Sequence, residues 1–443
     1  MKKYILLLAI MPVFAAGYAQ KLELADAANS FYSDAYQQAP PSVETIRCVL
    51  KGEVLNRPYS NRLILSKINE DLRTAKVEYI PIIDGKFEHV INSNYEELYE
   101  LTFYDEYLQA SWRPIKFFCE ADTLRFTLYP PDEYEKNIID GGKLIAAYFA
   151  FEGKLKDEVK ARTDMIRSKM NALHNADKYL SAEAAALTKK LEKAEAEERD
   201  HLYKELDKLR DEGKDLTPEA QQLKESADST GKMLNDKRLD YVEQNPDVAG
   251  YAILTDMMFW ETNSPRGHAD AQRMIKIYNS VYAPKYPDHP YTGKMRDLIA
   301  GMSVKIGNRY IDVTAIDATG KTVKLSEQID GKFALIYLWA SWCGPCRRTG
   351  KALIPVYEAY KDKGFTVVGI AREQNLDDMT RVVAQDGHPW LSLVEINDRE
   401  NIWNKYGLGN AGGGDFLVDS KGVILAVNPT ADEVKQTIMN YEL

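Results

Sequence analysis

Runs of apolar and polar positions divide the chain into three stretches with different periods. Between residues 43 and 131 the runs are short: Ile46-Arg47-Cys48-Val49-Leu50, Arg62-Leu63-Ile64-Leu65-Ser66, Lys76-Val77-Glu78-Tyr79-Ile80, Phe87-Glu88-His89-Val90-Ile91, Ile115-Lys116-Phe117-Phe118-Cys119 and Leu124-Arg125-Phe126-Thr127-Leu128. Their composition is that of strands, and Asp84-Gly85 predicts a tight hairpin turn between two of them. Pro130-Pro131 ends the last, so a small β domain is expected over 43–131. From 137 to 302 the period changes. Leu187, Leu191, Ala194, Leu202, Leu206 and Leu209 step by three and four or multiples, with Glu, Lys and Arg on the other faces. Gly213 stops that helix, and Thr217-Pro218-Glu219 starts the next with a cap residue and an N1 proline. The pattern is an αα-hairpin, either a projecting arm through which the chain forms oligomers or a hairpin lying back on its own domain. Val248 to Trp260 reads as a more apolar core helix, and Pro284, Pro287 and Pro290 as a stiff connection into the last domain. Beyond 304, the continuous run Phe333 to Ala340 predicts a fully buried strand followed by a helix. Gly364 to Ile370 predicts another buried strand, and Phe416 to Ile424 a closing hairpin.

At 443 residues the chain has room for two or three domains. Its net charge of −10, with no basic stripe, argues against nucleic acid as a partner. Lys2 and Lys3, the apolar stretch Tyr4 to Ala16 and the small residues Gly17-Tyr18-Ala19 read as a signal peptide over 1–19, cleaved before Gln20. The mature protein is therefore expected in the periplasm. Four cysteines are too few for a disulfide-built scaffold. Cys48 and Cys119 share strand parity with apolar neighbours; buried single thiols are favoured over a structural disulfide.

The other two cysteines carry the chemistry. Trp342-Cys343-Gly344-Pro345-Cys346 follows the buried strand and precedes a helix. Two cysteines so spaced close a small disulfide ring or open to a dithiol. At a strand end before a helix, the first sulfur receives the partial positive charge of the helix N-terminus, which favours the attacking thiolate. Pro345 suits the first turn, where its missing N–H costs nothing. A static disulfide and half a zinc site are the plainer readings. Zinc needs a second ligand pair, and His388 stands alone, so neither metal nor cofactor is expected.

Gly307, Asp312, Leu325-Ser326, the run Leu338-Trp339-Ala340-Ser341-Trp342-Cys343-Gly344-Pro345-Cys346-Arg347-Arg348 and the closing hairpin together carry a resemblance. Residues 304–443 resemble the thioredoxin-like domains of the TlpA/ResA type from bacterial envelopes. The resemblance implies a multidomain α+β chain ending in a thioredoxin fold (α/β). It also implies a protein disulfide reductase in which Cys343 attacks and Cys346 resolves, the two forming the redox-active disulfide. Trp342, Gly344, Pro345 and Gly413 would meet substrate. The partners implied are protein disulfides and a membrane thiol–disulfide electron donor. The 43–131 stretch is similar to a β domain of unknown function that precedes such domains in Bacteroidetes envelope proteins.

The chain departs from that pattern in three places. Tyr337 stands where thioredoxin has a buried acid, and Thr349 and Lys351 stand where its TlpA/ResA-type relatives often carry a glutamate and a proline. The proton shuttle for Cys346 is then unassigned among Tyr337, Glu373 and water. No cis-proline precedes the closing hairpin; Gly413 falls at its position, and a trans peptide is expected there because a non-proline cis bond costs about 2.5–4 kcal/mol. A peroxidase of the peroxiredoxin type is disfavoured, since Ala340 replaces the threonine such chemistry needs. The reading from another class is an envelope binding or scaffolding protein whose redox domain is weakly active or degenerate. Arg347 and Arg348 are expected as solvated charges, His388 as a loop histidine, and Pro355 as a helix kink.

Overall fold

A computed structural model describes residues 45–120, 123–263 and 270–441; the expected signal peptide lies outside them. The chain is a multidomain α+β protein. Eight strands make two four-stranded sheets: β1 (Ile46–Val54), β4 (Lys86–Ser93), β7 (Thr123–Leu128) and β8 (Ile138–Asp140) form one, in the order β4-β1-β7-β8. The other contains β2 (Arg62–Lys67), β3 (Glu78–Pro81), β5 (Leu98–Phe103) and β6 (Ile115–Phe118), in the order β3-β2-β5-β6. Asp84 and Gly85 both take positive φ, and Ile83 bridges to Lys86 as in a tight hairpin. The strands on either side do not continue that pairing. β3 joins one sheet and β4 the other, so the turn is a crossing between layers. Local turn chemistry is right and the strand pairing inferred from it is not, because each strand finds a longer partner elsewhere: β4 pairs along all of Ile46 to Glu53 of β1.

The helices are α1 (Tyr104–Leu108), α2 (Lys143–Asn175), α3 (Ala182–Leu191), α4 (Ala196–Asp211), α5 (Pro218–Gln244), α6 (Val248–Thr262), α7 (Ala271–Ile277) and α8 (Pro290–Gly301). One apolar core runs from both sheets into α2 and α5 to α8, so among the described residues the two sheets and these helices share a single packed core. The proline-rich segment belongs to that core. Pro290 opens α8, and Tyr251, Tyr282, Tyr286, His289 and Tyr291 pack ring against ring. Aromatic content outweighs the linker signal of the prolines. The leucine stripe of 187–209 is two helices. Ser181 caps α3, the chain turns over 192–195, and Leu187 and Leu191 close on Leu202 and Leu209. A continuous helix would leave that stripe uncovered; folding back gives it a partner. Lys204 of α4 lies 3.6 Å from Glu433 in the last helix of the chain, so this hairpin touches the C-terminal domain. Among the described residues no helix is long and apolar enough to cross a membrane.

The C-terminal domain is a seven-stranded sheet ordered β10-β9-β13-β12-β11-β14-β15. Its strands are β9 (Thr314–Ile316), β10 (Thr322–Lys324), β11 (Phe333–Trp339), β12 (Phe365–Glu373), β13 (Leu391–Ile396), β14 (Gly414–Val418) and β15 (Ile424–Val427). All seven residues of β11 are buried, as its unbroken apolar run predicts. It runs parallel to β12 and antiparallel to β14. The helices here are α9 (Ser326–Ile329), α10 (Gly344–Tyr360), α11 (Leu376–Asp386), α12 (Ile402–Lys405) and α13 (Ala431–Asn440). Pro355 sits inside α10, which continues past it to Tyr360.

Candidate functional site

The site forms where β11 ends and α10 begins. Glu373, at the end of neighbouring β12, holds the connecting turn: its carboxylate accepts from the backbone N–H of Ser341 at 2.5 Å and from the Ser341 hydroxyl at 2.9 Å. Burial pushes the Glu373 carboxyl up, and these two hydrogen bonds oppose that shift. Cys343 is the N-cap of α10. Its sulfur accepts from the backbone N–H of Cys346 at 3.3 Å, and Pro345 lies in the first turn. Cys343 and Cys346 are joined as a disulfide, with Cα atoms 5.3 Å apart and both residues partly exposed. Gly344 and Pro345 are exposed on the outside of the ring. Trp342 is 36% exposed, with the guanidinium of Arg73 3.9 Å from its ring centre.

Across the ring lies the glycine run before β14. A side-chain carbon on Gly412 would sit 2.7 Å from the sulfur of Cys343, so the backbone facing the disulfide is that of Gly412. Gly413 is turned away. A carbon there would meet the carbonyl oxygen of Leu338 at 2.0 Å, so its lack of a side chain serves close packing on β11. The glycine expected opposite the cysteines, Gly413, is thus displaced by one position, to Gly412. No cis peptide bond occurs among the described residues. Gly412→Val should lower disulfide exchange about tenfold with little change in melting temperature, measured by insulin turbidity and thermal unfolding, since bulk there forces the loop off Cys343.

Beneath the ring, Tyr337 donates from its hydroxyl to the carbonyl of Cys346 at 2.8 Å. Directly across the sheet from Tyr337 is Asp415. Strand parity puts its carboxyl on the same face as Tyr337, Trp339 and Leu417, the face that α10 covers and against which Cys346 packs. Burial alone pushes Asp415 up to about 7, and its Oδ1 has no protein partner. Sequence reasoning missed this residue. The signal was a carboxylate at a buried position inside Gly414-Asp415-Phe416-Leu417-Val418.

Arg347 is no solvated charge. It grips Asp386, at the end of α11, through two bonds of 2.6 and 2.8 Å, and Lys351 lies 3.0 Å from the same carboxylate. The Arg347 hydrogen bond, with Lys351 beside it, holds Asp386 down to about 2. His388 is buried against Tyr337, Trp339 and Trp390, with neither ring nitrogen bonded to protein, and burial lowers its pKa. It packs under Gly350 of α10 and does not reach the disulfide ring's open side. Trp390 and Trp403 are core residues. Asp386→Asn should cost about 1.5–3 kcal/mol at pH 7. Because the folded carboxyl is depressed, that contribution is present above about pH 4 and fades toward about pH 2. Urea unfolding of the two proteins should therefore converge at low pH.

Cys48 and Cys119 form no disulfide and are fully buried, one on β1 and one just past β6 in the facing sheet. A hydrogen bond with Cys48, then burial, pushes the Cys119 thiol far up, so it is not poised for attack, and Cys48 is shut away from any substrate by its burial.

Comparison with known proteins agrees with this geometry. Residues 306–427 match the AhpC/TSA family. Over 138 residues the chain is 25% identical to the thiol-disulfide oxidoreductase ResA of Bacillus anthracis, covering 31% of this chain and 77% of that relative. It is 34% identical over 110 residues to the thiol:disulfide interchange protein HelX of Rhodobacter capsulatus, covering 24% of this chain and 57% of the relative. Among solved structures, the thioredoxin domain of a thiol-disulfide oxidoreductase from Bacteroides vulgatus is 27% identical, with a TM-score of 0.30, covering 31% of this chain and 99% of that one. The C-terminal domain is a thioredoxin-like domain. The protein is a thiol–disulfide oxidoreductase.

Proposed function

We propose that the protein is a periplasmic disulfide reductase of envelope proteins, with Cys343 as nucleophile and Cys346 as resolving thiol. The observation that carries this reading is the Cys343 sulfur at the mouth of α10, facing the Cys346 N–H, with one side open past Trp342, Gly344 and Pro345. In the reduced protein the Cys343 thiolate attacks one sulfur of a substrate disulfide. The substrate S–S bond breaks, a mixed disulfide forms, and the first substrate sulfur leaves and takes a proton. Cys346 then gives its proton to the Asp415 carboxylate and attacks the Cys343 sulfur. The second substrate sulfur leaves with its electron pair, and the enzyme ring closes. Two electrons have passed to the substrate, and an external dithiol, here a membrane thiol–disulfide protein, must return them. A carboxyl near 7 is suited to this transfer at neutral pH. Direction is tested by equilibrating the protein with glutathione. A reductase should poise near thioredoxin, about −270 mV; a value near −120 mV, that of a strong oxidant, would contradict the proposal.

A further inference from the structure

The glycine loop opposite the disulfide is held from outside its own domain. The β2–β3 connection, between Lys67 and Glu78, lies against it, with Asp71, Thr74 and Ala75 almost wholly buried although they sit in a loop. Asp71 orients Arg73 through bonds of 2.8 and 2.6 Å to Nε and Nη2. Arg73 then donates to the carbonyl of Asn410 at 2.6 Å and lays its guanidinium on Trp342. From the thioredoxin-like domain, buried Arg372 donates to the preceding carbonyl, Gly409, at 3.0 Å, grips Asp398 at 2.6 and 2.8 Å, and reaches Asp71 at 3.4 Å. Thr74 donates to Asp398 at 2.8 Å, and Gln374 to the carbonyl of Ala75 at 3.3 Å. Two arginines, one from each body, thus hold successive carbonyls two and three residues before Gly412. The loop has no proline of its own to fix it, and Gly412 must lie against the Cys343 sulfur.

We propose that Arg73, set by Asp71, is a positioning residue of the disulfide site: the N-terminal body braces the 409–413 loop so that its backbone can receive a protein substrate beside Cys343. This rests on the reading of Cys343 as the nucleophile. An extended peptide bonds to that loop backbone and feels its position, whereas a small disulfide needs only the sulfur. A guanidinium is needed because it must bond Asp71 and Asn410 while stacking on an indole.

The test is steady-state reduction, with dithiothreitol as electron source, of insulin and of bis(2-hydroxyethyl) disulfide by the full chain. Arg73→Ala should lower kcat/KM for insulin about tenfold, mainly through KM, while the small disulfide changes less than about twofold. Arg73→Met keeps apolar cover on Trp342 but removes the donors, and should behave like the alanine variant. Arg73→Lys should recover part of the loss. Unchanged insulin kinetics in both the Ala and Met variants would overturn the proposal. So would an equal fall on both substrates with a lowered melting temperature, which marks a merely structural contact. A rise in insulin turnover would also overturn it, since the loop would then be a cover over the site. Cys343→Ser run alongside separates failures: if it keeps activity, the proposed function falls; if it is inactive and the Arg73 variants are normal, only the brace falls.

Discussion

Cys343→Ser should reduce insulin no faster than dithiothreitol alone, a loss of at least about a thousandfold, while folding normally. The serine hydroxyl remains un-ionised at neutral pH where the α10 N-terminus meets it, so no mixed disulfide forms. Cys346→Ala should differ in kind. It keeps the attacking sulfur and loses the group that releases substrate, so it should accumulate a covalent adduct through Cys343. Capture of the same partners through Cys48 or Cys119 would contradict the assignment; both are fully buried.

Asp415→Asn should lower insulin reduction about a hundredfold near pH 7, within the range general acid–base groups supply. The loss should lie in release of the mixed disulfide rather than in its formation, and rapid quench of the Cys343 adduct separates the two. Stability should move the other way. The folded carboxyl is raised from 3.8 to about 7, so the wild-type protein binds this proton more tightly than the unfolded chain does. That contribution is full below about pH 4 and is lost as pH rises through about 7. Asparagine carries no such charge, so the variant should gain on the wild type from pH 5 to pH 8 in denaturant titrations. An activity loss with no change in the pH dependence of stability would mean that Asp415 is not the titrating group.

The cysteine pair, the buried β11 and β12 and the start of α10 were legible because each is written in a local run: five residues for the motif, an unbroken apolar stretch for the strand. Six of the eight strands of the N-terminal body were legible as strands and misread as to pairing, since the Asp84-Gly85 turn specifies a bend and not which sheet each arm joins; Leu98–Phe103 and Ile138–Asp140, the latter in a stretch that reads as helical, were not seen. The leucine stripe gave helix period correctly and hid the turn over 192–195, because a stripe split into two facing halves has the same spacing as one helix. Asp415 and Arg73 were invisible as site residues for a common reason. Each is brought to the disulfide site from far along the chain, Asp415 by register with Tyr337 and Arg73 by docking of a loop some 270 residues upstream of Cys343. No local pattern encodes such a distance. The displacement of the glycine facing the ring from 413 to 412 is smaller, one position within a run of three glycines that sequence alone does not tell apart.

Disulfide exchange at this site requires the Cys343 sulfur to be held ionised and reachable at the helix mouth. Alkylation of the reduced Cys346→Ala protein by iodoacetamide, followed against pH, measures this directly. At pH 7 Cys343 should react about threefold faster than an unhindered free thiol, the gain in thiolate being partly offset by lower intrinsic nucleophilicity, and its rate should level off by about pH 8. A rate no greater than that of the free thiol, still climbing between about pH 8 and 9, would mean that the helix mouth does not hold Cys343 as the thiolate.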